Sequence, residues 1–215
     1  LSRAWKQKDH KEISRIYKRS SINLLSFSLF AFCCIWLNYT QAIEYFGINP
    51  RYLDAKWVFF LLGMVTIIEM GTGVNGQIIG TSSYWRFELW TSLLLTSLII
   101  PLSYFLTVKY GLIGPAIANL VSFTVYNAVR YWFLWKKFAL QPFSKKTAEV
   151  FVIAILAYML IYYCMDQVTG LPGLILRTLF FATAFIIAAY YRNISPDLKP
   201  IKAALSKRLG LKNRK

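Results

Sequence analysis

Residues 89–135 read LWTSLLLTSLIIPLSYFLTVKYGLIGPAIANLVSFTVYNAVRYWFLW, and this stretch decides the fold class. Its charged residues are Lys109 and Arg130. The apolar runs before and after Lys109 each reach the roughly 20 residues that a helix needs to cross a hydrocarbon core about 30 Å thick. A transmembrane strand would instead show about 10 residues of alternating apolar and polar side chains. The stretch therefore predicts two membrane-spanning helices.

The composition of the whole chain also indicates a membrane protein. Of its 215 residues 57% are hydrophobic and only 16% are charged, an unusually apolar mixture for a soluble domain. The sequence predicts an all-α polytopic membrane bundle, with a leader over residues 1–20, a transmembrane domain over residues 21–191 and a basic tail over residues 192–215. The six predicted transmembrane helices, which we call spans A to F, are Ser21–Ile43, Trp57–Gly80, Leu89–Val108, Leu112–Trp135, Val150–Met165 and Leu171–Tyr191.

The distribution of Lys and Arg predicts the orientation of these spans. Cytoplasmic segments of membrane proteins carry an excess of both residues. With the first residue inside, 21 of the 25 Lys and Arg lie on the inner side, and the outer loops hold only Arg51, Lys56 and Lys109. Both termini are therefore expected in the cytoplasm. The net charge of +16 does not favour nucleic-acid binding, because the basic residues flank spans and leave no soluble domain to carry such a surface.

Both ends of the chain have an amphipathic pattern. The leader is expected to lie on the membrane surface or to lead into span A, since one side of a helix there would carry Ala4, Trp5, Ile13, Ile16 and Tyr17. The tail repeats this pattern among basic residues that anionic lipids attract, with apolar positions at Leu198, Ile201, Leu205 and Leu209. The chain begins at Leu1 rather than at a methionine, so we expect a C-terminal fragment of a longer protein.

Span B contains polar residues that require an explanation. Glu69 lies 12 residues after Trp57, about 18 Å along a helix and close to the membrane midplane, where an unpaired carboxylate is costly. It is expected either to line a cavity or couple protons, or to be hydrogen-bonded within the bundle or shifted toward an interface. Asn75 and Gln77 are expected to contact a polar substrate or to form hydrogen bonds between helices.

Glycines and a proline predict irregular geometry in spans B and C. Gly71 and Gly73 are expected to loosen or kink span B, and the small-xxx-small pair Gly76 and Gly80 to allow close approach of two backbones. Pro101 predicts a kink in span C. A tight outer hairpin between spans C and D is predicted by Gly111, Gly114 and Pro115.

One further charged residue lies within a span. Arg177 is six residues into span F, about 9 Å along a helix. Its long side chain is expected to snorkel outward or to pair with Asp166. A cavity or coupling role is the alternative.

No catalytic set is predicted, so we expect no enzyme, cofactor or metal site. His10 is the only histidine, there is no G-x-S-x-G motif, and no carboxylate pair lies at one membrane interface. Cys33, Cys34 and Cys164 are expected to pack as small apolar residues within spans rather than to bind zinc.

Three stretches carry a family resemblance. They are KDHKEISRIYKRSS at residues 8–21, GVNGQIIGTSSYWRFELWTSLLL at residues 73–95 and KYGLIGPAIANLVSFTVYNAVRYWFL at residues 109–134. The chain resembles the oligosaccharide flippases of the polysaccharide-biosynthesis family, within the multidrug/oligosaccharidyl-lipid/polysaccharide exporter superfamily. The resemblance covers essentially the whole chain as the C-terminal half of such a protein. Its motifs are structural and do not name a substrate.

The resemblance implies two helical lobes that alternate between inward-open and outward-open states around a central cavity. They would move a polyprenyl-diphosphate-linked glycan across the inner membrane for polysaccharide, O-antigen or lipopolysaccharide biosynthesis. The implied partners are that glycan, membrane lipids and the missing N-terminal lobe of the same chain. No cavity residue carries over from a family motif, so the cavity or coupling candidates, nominated on their chemistry, are Glu69, Asn75, Gln77 and Arg177.

Three other functions remain open from the sequence. A multidrug or cation exporter of the same superfamily could use Glu69 as a proton-coupled acid. A membrane glycan polymerase or acyltransferase would need reactive groups near the outer face, where the short loops offer mainly Arg51, Asp54 and Asp166. A structural protein that transports nothing is the third alternative.

Overall fold

A computed structural model of the chain describes residues 1–165 and 167–194. All regular elements in these residues are helical, which confirms the predicted all-α class. The tail positions Leu198, Ile201, Leu205 and Leu209 lie outside the described residues. Nine α-helices and one 3₁₀ turn (Gly111–Ile113) occur in the described part of the chain: α1 Ser2–Lys6, α2 His10–Tyr45, α3 Arg51–Asp54, α4 Lys56–Gly71, α5 Asn75–Gly80, α6 Trp85–Tyr110, α7 Gly114–Phe138, α8 Lys145–Met165 and α9 Gly170–Tyr191.

Four helical segments of the described chain are long and apolar enough to cross a membrane. They are His10–Tyr45, Trp85–Phe138, Lys145–Met165 and Gly170–Tyr191. The 54-residue segment contains α6 and α7 with the 3₁₀ turn between them. Span B is absent from this group because α4 ends after 16 residues, about 24 Å of helix.

The helix of span B is interrupted at residues 72–74, as its glycines predicted. Gly73 has φ +68°, in the left-handed region that favours glycine. A Cβ on Gly73 would lie 3.0 Å from the backbone N and Cα of Ser21 in α2, and the Ser21 hydroxyl donates a hydrogen bond to the Gly71 carbonyl. The close approach of two backbones therefore occurs at Gly73.

The long helix α2 lies between the other elements. It packs against α4, α8 and α9, while α7 packs against α4 and α6. Side chains of α2, α4, α8 and α9 form one apolar core, in which Leu25, Val150 and Phe181 are almost completely buried. The order of packing thus places α6 and α7 at one end of the bundle and α8 and α9 at the other.

The leader packs against protein and leads directly into α2. The Trp5 indole Nε1 donates to the Ile78 carbonyl at 3.1 Å, and its ring lies 4.9 Å from that of Phe138. Ile13 and Tyr17 are fully buried in the same apolar cluster. The apolar side of the leader therefore covers α5 and the end of α7.

Helix α6 exposes most of its apolar side chains and runs continuously through Pro101. Thr91 is its one buried residue, whereas the outward side chains include Leu93, Ile100, Phe105 and Val108. Such a continuous apolar face is typical of a helix in contact with lipid or with another apolar surface. The turn that follows is as tight as predicted, since a Cβ on Gly114 would overlap the Leu106 carbonyl.

Candidate functional site

Three of the four candidate residues line one cavity, which opens at the break between α4 and α5. Its volume is about 410 Å³. Glu69, Asn75 and Gln77, all nominated from the sequence, lie on its wall. The remaining lining residues are Gly73, Gly76, Glu88, Tyr126, Asn127 and Arg130.

Four helices supply these side chains. Glu69 comes from the last turns of α4, Asn75 and Gln77 from α5, and Glu88 from the first turn of α6. Helix α7 supplies Tyr126, Asn127 and Arg130. Arg130 follows Asn127 by three residues and Tyr126 by four, so all three lie on the same side of the helix. The break in span B brings the polar start of α5 against this side of α7.

Buried amides hold the helix break against α7. The Asn127 Oδ1 accepts hydrogen bonds from the Thr72 hydroxyl at 2.9 Å and from the Asn75 Nδ2 at 3.1 Å. The Asn127 Nδ2 donates to the Phe123 carbonyl at 2.9 Å. Asn75 is 3% exposed and Asn127 is 2% exposed. Of the two roles expected for Asn75, hydrogen bonding between helices is the one that the structure shows.

An ion pair between α6 and α7 lies on the cavity wall. Arg130, which is 7% exposed, pairs with Glu88. Its Nε donates to the Thr91 hydroxyl at 3.3 Å, and its guanidinium carbon lies 3.7 Å from the centroid of the Tyr126 ring. The Arg130 side chain is therefore held by a carboxylate, a hydroxyl and an aromatic face.

Gly76 makes room for this ion pair. A Cβ at that position would lie 3.1 Å from the Glu88 Oε1 and 3.2 Å from an Arg130 Nη1. The second Glu88 oxygen, Oε2, is buried and has no hydrogen-bond partner among the described residues. The glycine pair of α5 thus accommodates charged side chains of α6 and α7 rather than a second backbone.

Glu69 differs from Glu88 in its surroundings. Its side chain is exposed on the cavity wall, and the described residues provide its carboxylate with no ion pair at 4.0 Å or less. Gln77 is exposed on the same wall. These two side chains are therefore the polar groups of the cavity that a bound molecule can reach most directly.

Arg177 lies away from this cavity. It is 5% exposed, and its guanidinium donates to the Met165 carbonyl at 2.8 and 3.1 Å and to the Val168 carbonyl at 3.2 Å. A cation at the C-terminal end of a helix is favourable because the last carbonyls there lack partners within the helix. Asp166, its expected partner, lies outside the described residues. The side chain turns back onto the end of α8 rather than snorkelling outward.

The sequence interpretation missed Glu88 and Arg130. Arg130, near the end of span D, enters the sequence interpretation only as one of the inner-side basic residues, and Glu88 is not among its candidates. The signal that could have found them is their opposite charge near the same end of two consecutive spans joined by a tight turn. Antiparallel neighbours of this kind bring such ends together.

The cavity wall carries more negative than positive side chains. Its acidic residues are Glu69 and Glu88, and its one basic lining residue among those described is Arg130, which is already paired with Glu88. The wall can donate and accept hydrogen bonds through the exposed Gln77, whereas the Tyr126 ring is 7% exposed and is covered by the Arg130 guanidinium. Across residues 1–165 and 167–194, no three His, Cys, Asp or Glu side chains converge as a metal site would require.

Similarity to known proteins adds no further assignment. No protein-family model matches the chain, and neither a curated protein nor a solved structure is significantly similar to it. The site is defined by its own chemistry, which combines a helix break held by amides, a buried ion pair and an exposed carboxylate.

Proposed function

We propose that the protein is a membrane transporter, a flippase that moves a lipid-linked oligosaccharide across the inner membrane for polysaccharide or O-antigen biosynthesis. The polar cavity at a broken helix carries this proposal, because it lies in a bundle that contains four helical segments long and apolar enough to cross a membrane. Broken helices occur at membrane depth where they line cavities, and the substrate sites of many transporters lie at such breaks.

The proposed arrangement has six spans, with both termini in the cytoplasm. The spans are α2, α4 continued by α5, and then α6, α7, α8 and α9. Two observations support this count: a 3₁₀ turn separates α6 from α7 within one long apolar segment, and α5 follows α4 after three residues. The excess of Lys and Arg at one set of helix ends supports the orientation.

In this proposal the chain is the C-terminal lobe of an alternating-access transporter. The exposure of Glu69 and Gln77 supports a second lobe that closes the cavity, because polar side chains in a membrane need water or protein around them. An N-terminal lobe of the same chain would supply that wall. The transport cycle itself requires no catalytic residue, cofactor or metal.

The cavity chemistry suits the sugar part of the substrate. Carboxylate and amide groups form hydrogen bonds with hydroxyls, and Glu69 and Gln77 are exposed on this wall. The diphosphate needs cations, and this wall offers only Arg130, which Glu88 already engages. The proposal therefore assigns the main diphosphate contacts to the second lobe.

A cation or multidrug exporter is the second candidate, and the exposed Glu69 carboxylate favours it. Together with Glu88, Glu69 gives the wall an excess of negative charge over Arg130. A carboxylate at membrane depth can also carry the coupled proton. The two candidates predict opposite substrate charges, so one experiment separates them.

The experiment uses the complete protein to which the chain belongs, reconstituted in liposomes. A fluorescent polyprenyl-diphosphate oligosaccharide is placed in both leaflets, and its exposure to a membrane-impermeant glycosidase is followed with and without a proton gradient. Translocation above protein-free vesicles supports the flippase. Pumping of a cationic dye with no lipid movement refutes it and supports the exporter.

Two variants assign the role of Glu69 in that assay. Glu69→Gln is expected to remove the gradient dependence if the carboxyl couples protons. Glu149→Gln is the matched control, because Glu149 pairs with Arg192 at 3.3 Å outside the cavity. Equal effects of both variants would contradict a specific role for Glu69.

A further inference from the structure

An apolar groove lies between α2 and α4, beside the cavity at the helix break. Its volume is about 260 Å³. The groove is open on one side, because three of its lining residues, Phe27, Ile35 and Leu62, are 69%, 50% and 42% exposed. A ligand can therefore reach it from the surface of the bundle, and its open side is not part of the packed core.

A glycine of α4 allows α2 to pack closely at this groove. A Cβ on Gly63 would overlap the ring of Phe32 in α2, and both residues line the groove. The hydroxyls of its lining residues Ser28 and Thr66 donate to backbone carbonyls of their own helices at 3.0 and 3.1 Å. The described lining therefore offers a ligand mainly apolar contact.

The groove and the polar cavity are adjacent on α4. Met70 lines the groove and the preceding residue, Glu69, lines the cavity. Leu62, Thr66 and Glu69 follow one another at intervals of four and three residues, which places them on the same side of the helix. All three are exposed. One exposed side of α4 thus carries an apolar surface followed by a carboxylate.

The charge of the cavity favours a cation at this carboxylate. Arg130 interacts electrostatically with Glu69, but its ion pair is with Glu88. The three residues together leave one negative charge in excess among the described lining of the cavity. A carboxylate at membrane depth is stabilised by a partner of opposite charge, and the attraction is stronger there than in water.

We propose that the groove and the cavity together bind a single-chain amphiphile with a cationic headgroup. Its chain lies between α2 and α4, and its cation lies against Glu69. An anionic headgroup would meet the excess negative charge, whereas a neutral one would leave the carboxylate without a counter-charge. The inference rests on the proposed membrane position of α2 and α4, but it concerns binding and holds whether or not the ligand is transported.

The test is photolabelling of the complete protein to which the chain belongs, in phosphatidylcholine nanodiscs. The probe is dodecyltrimethylammonium with a diazirine in its chain, and the labelled peptides are identified by mass spectrometry. The comparison probe is a dodecyl sulfobetaine with the same diazirine. Labelling of α2 and α4 by the cation is expected to exceed that by the zwitterion about fivefold. Equal labelling by both probes would overturn the proposal, because the chain alone would then decide binding.

Variants of Glu69 test the site of the headgroup. Glu69→Gln is expected to weaken binding of the cationic probe about tenfold, since it removes the counter-charge. Glu69→Asp keeps a carboxylate and is expected to retain binding within about threefold. The matched control is Glu149→Gln, which removes a carboxylate outside the groove and the cavity. Unchanged binding in Glu69→Gln, or an equal loss in the control, would refute the role of Glu69.

A bulky substitution tests the site of the chain. Thr66→Phe places a ring in the groove and is expected to weaken binding of the cationic probe about fivefold. The matched control is Thr183→Phe in α9, because both threonines are exposed and both donate to the carbonyl four residues earlier. Thr183 lies outside the groove. Equal binding by the two variants would refute the groove as the site of the chain.

This test is independent of the translocation assay. A protein that moves the lipid-linked oligosaccharide but does not bind the cationic probe would refute this inference and leave the flippase proposal intact. A protein that binds the probe at Glu69 and moves no lipid would support this inference and refute the flippase.

Discussion

The ion pair between Arg130 and Glu88 allows a quantitative test of the cavity structure. Arg130→Gln removes the cation but keeps a polar side chain over the Tyr126 ring. The Glu88 carboxylate then loses its partner, and its Oε2 already lacks a hydrogen bond among the described residues. Because Gly76 packs directly against both side chains, the carboxylate has little room to turn away.

The expected loss of stability follows from burial. Removing one partner of a fully buried ion pair costs about 3–5 kcal/mol. The Arg130 side chain is 8% exposed, but that of Glu88 is 24% exposed, so water reduces the penalty. Loss of the contact with the Tyr126 ring adds about 1 kcal/mol. We expect Arg130→Gln to lower the free energy of unfolding by about 3 kcal/mol.

A double-mutant cycle isolates the pair from its surroundings. Glu88→Gln, Arg130→Gln and the double variant are unfolded by denaturant in detergent micelles and followed by circular dichroism. The double variant should be more stable than the sum of the single losses predicts, by about 2 kcal/mol, because no charge is left unpaired. Single losses that add within about 0.5 kcal/mol would refute a coupled pair.

Glu69→Gln is the matched control for this cycle. It makes the same chemical change in the same cavity, but Glu69 is exposed and without an ion pair among the described residues. Its expected effect on the free energy of unfolding is below about 0.5 kcal/mol. A loss as large as that of Glu88→Gln would contradict the structural difference between the two carboxylates.

Three other substitutions test the contacts around the helix break, each measured as a free energy of unfolding in the same detergent. Gly73→Ala should cost about 2–3 kcal/mol, through its positive φ and its contact with Ser21, whereas Gly47→Ala, with φ +61° and open space around it, should cost about 1 kcal/mol. Asn127→Leu leaves the buried Asn75 Nδ2 without its acceptor, while the Thr72 hydroxyl keeps the Glu69 carbonyl, and should cost about 1–3 kcal/mol. Trp5→Phe removes the bond to the α5 carbonyl while keeping an aromatic ring, and should cost about 1 kcal/mol.

Specific outcomes would contradict these three expectations. Equal losses at the two glycines would mean that the backbone of α2 does not limit the position of the break. A neutral Asn127→Leu variant would mean that water or another group satisfies the freed Asn75 amide. A neutral Trp5→Phe variant would leave the leader held by apolar contact alone.

Part of the cavity could be predicted because its residues are close in the sequence. Glu69, Asn75 and Gln77 lie within one apolar span, where any polar side chain is conspicuous, and the neighbouring glycines indicate a break in the helix. Three wall residues were found in this way. The pattern could not predict the role of each of these residues. The rotation of the helix decides whether a given side chain contacts protein or faces the open cavity.

Two arginines have contacts that their positions in the sequence do not indicate. Arg177 was nominated because it is a charge within a span, yet its guanidinium binds the carbonyl groups at the end of α8. Arg130 enters the orientation count because it lies near a span end, and the structure places it on the cavity wall, paired with Glu88. In both cases the neighbouring helix decides what the guanidinium contacts.

The sequence by itself determined the helical class, the apolar segments and the interruption of span B. These depend on properties of contiguous residues: apolar length, glycine content and backbone freedom. Tertiary structure alone decided that Asn127 holds the break, that Glu88 pairs with Arg130, and that Phe32 packs against Gly63. These pairings depend on the relative rotation and register of helices far apart in the chain, which are fixed by packing.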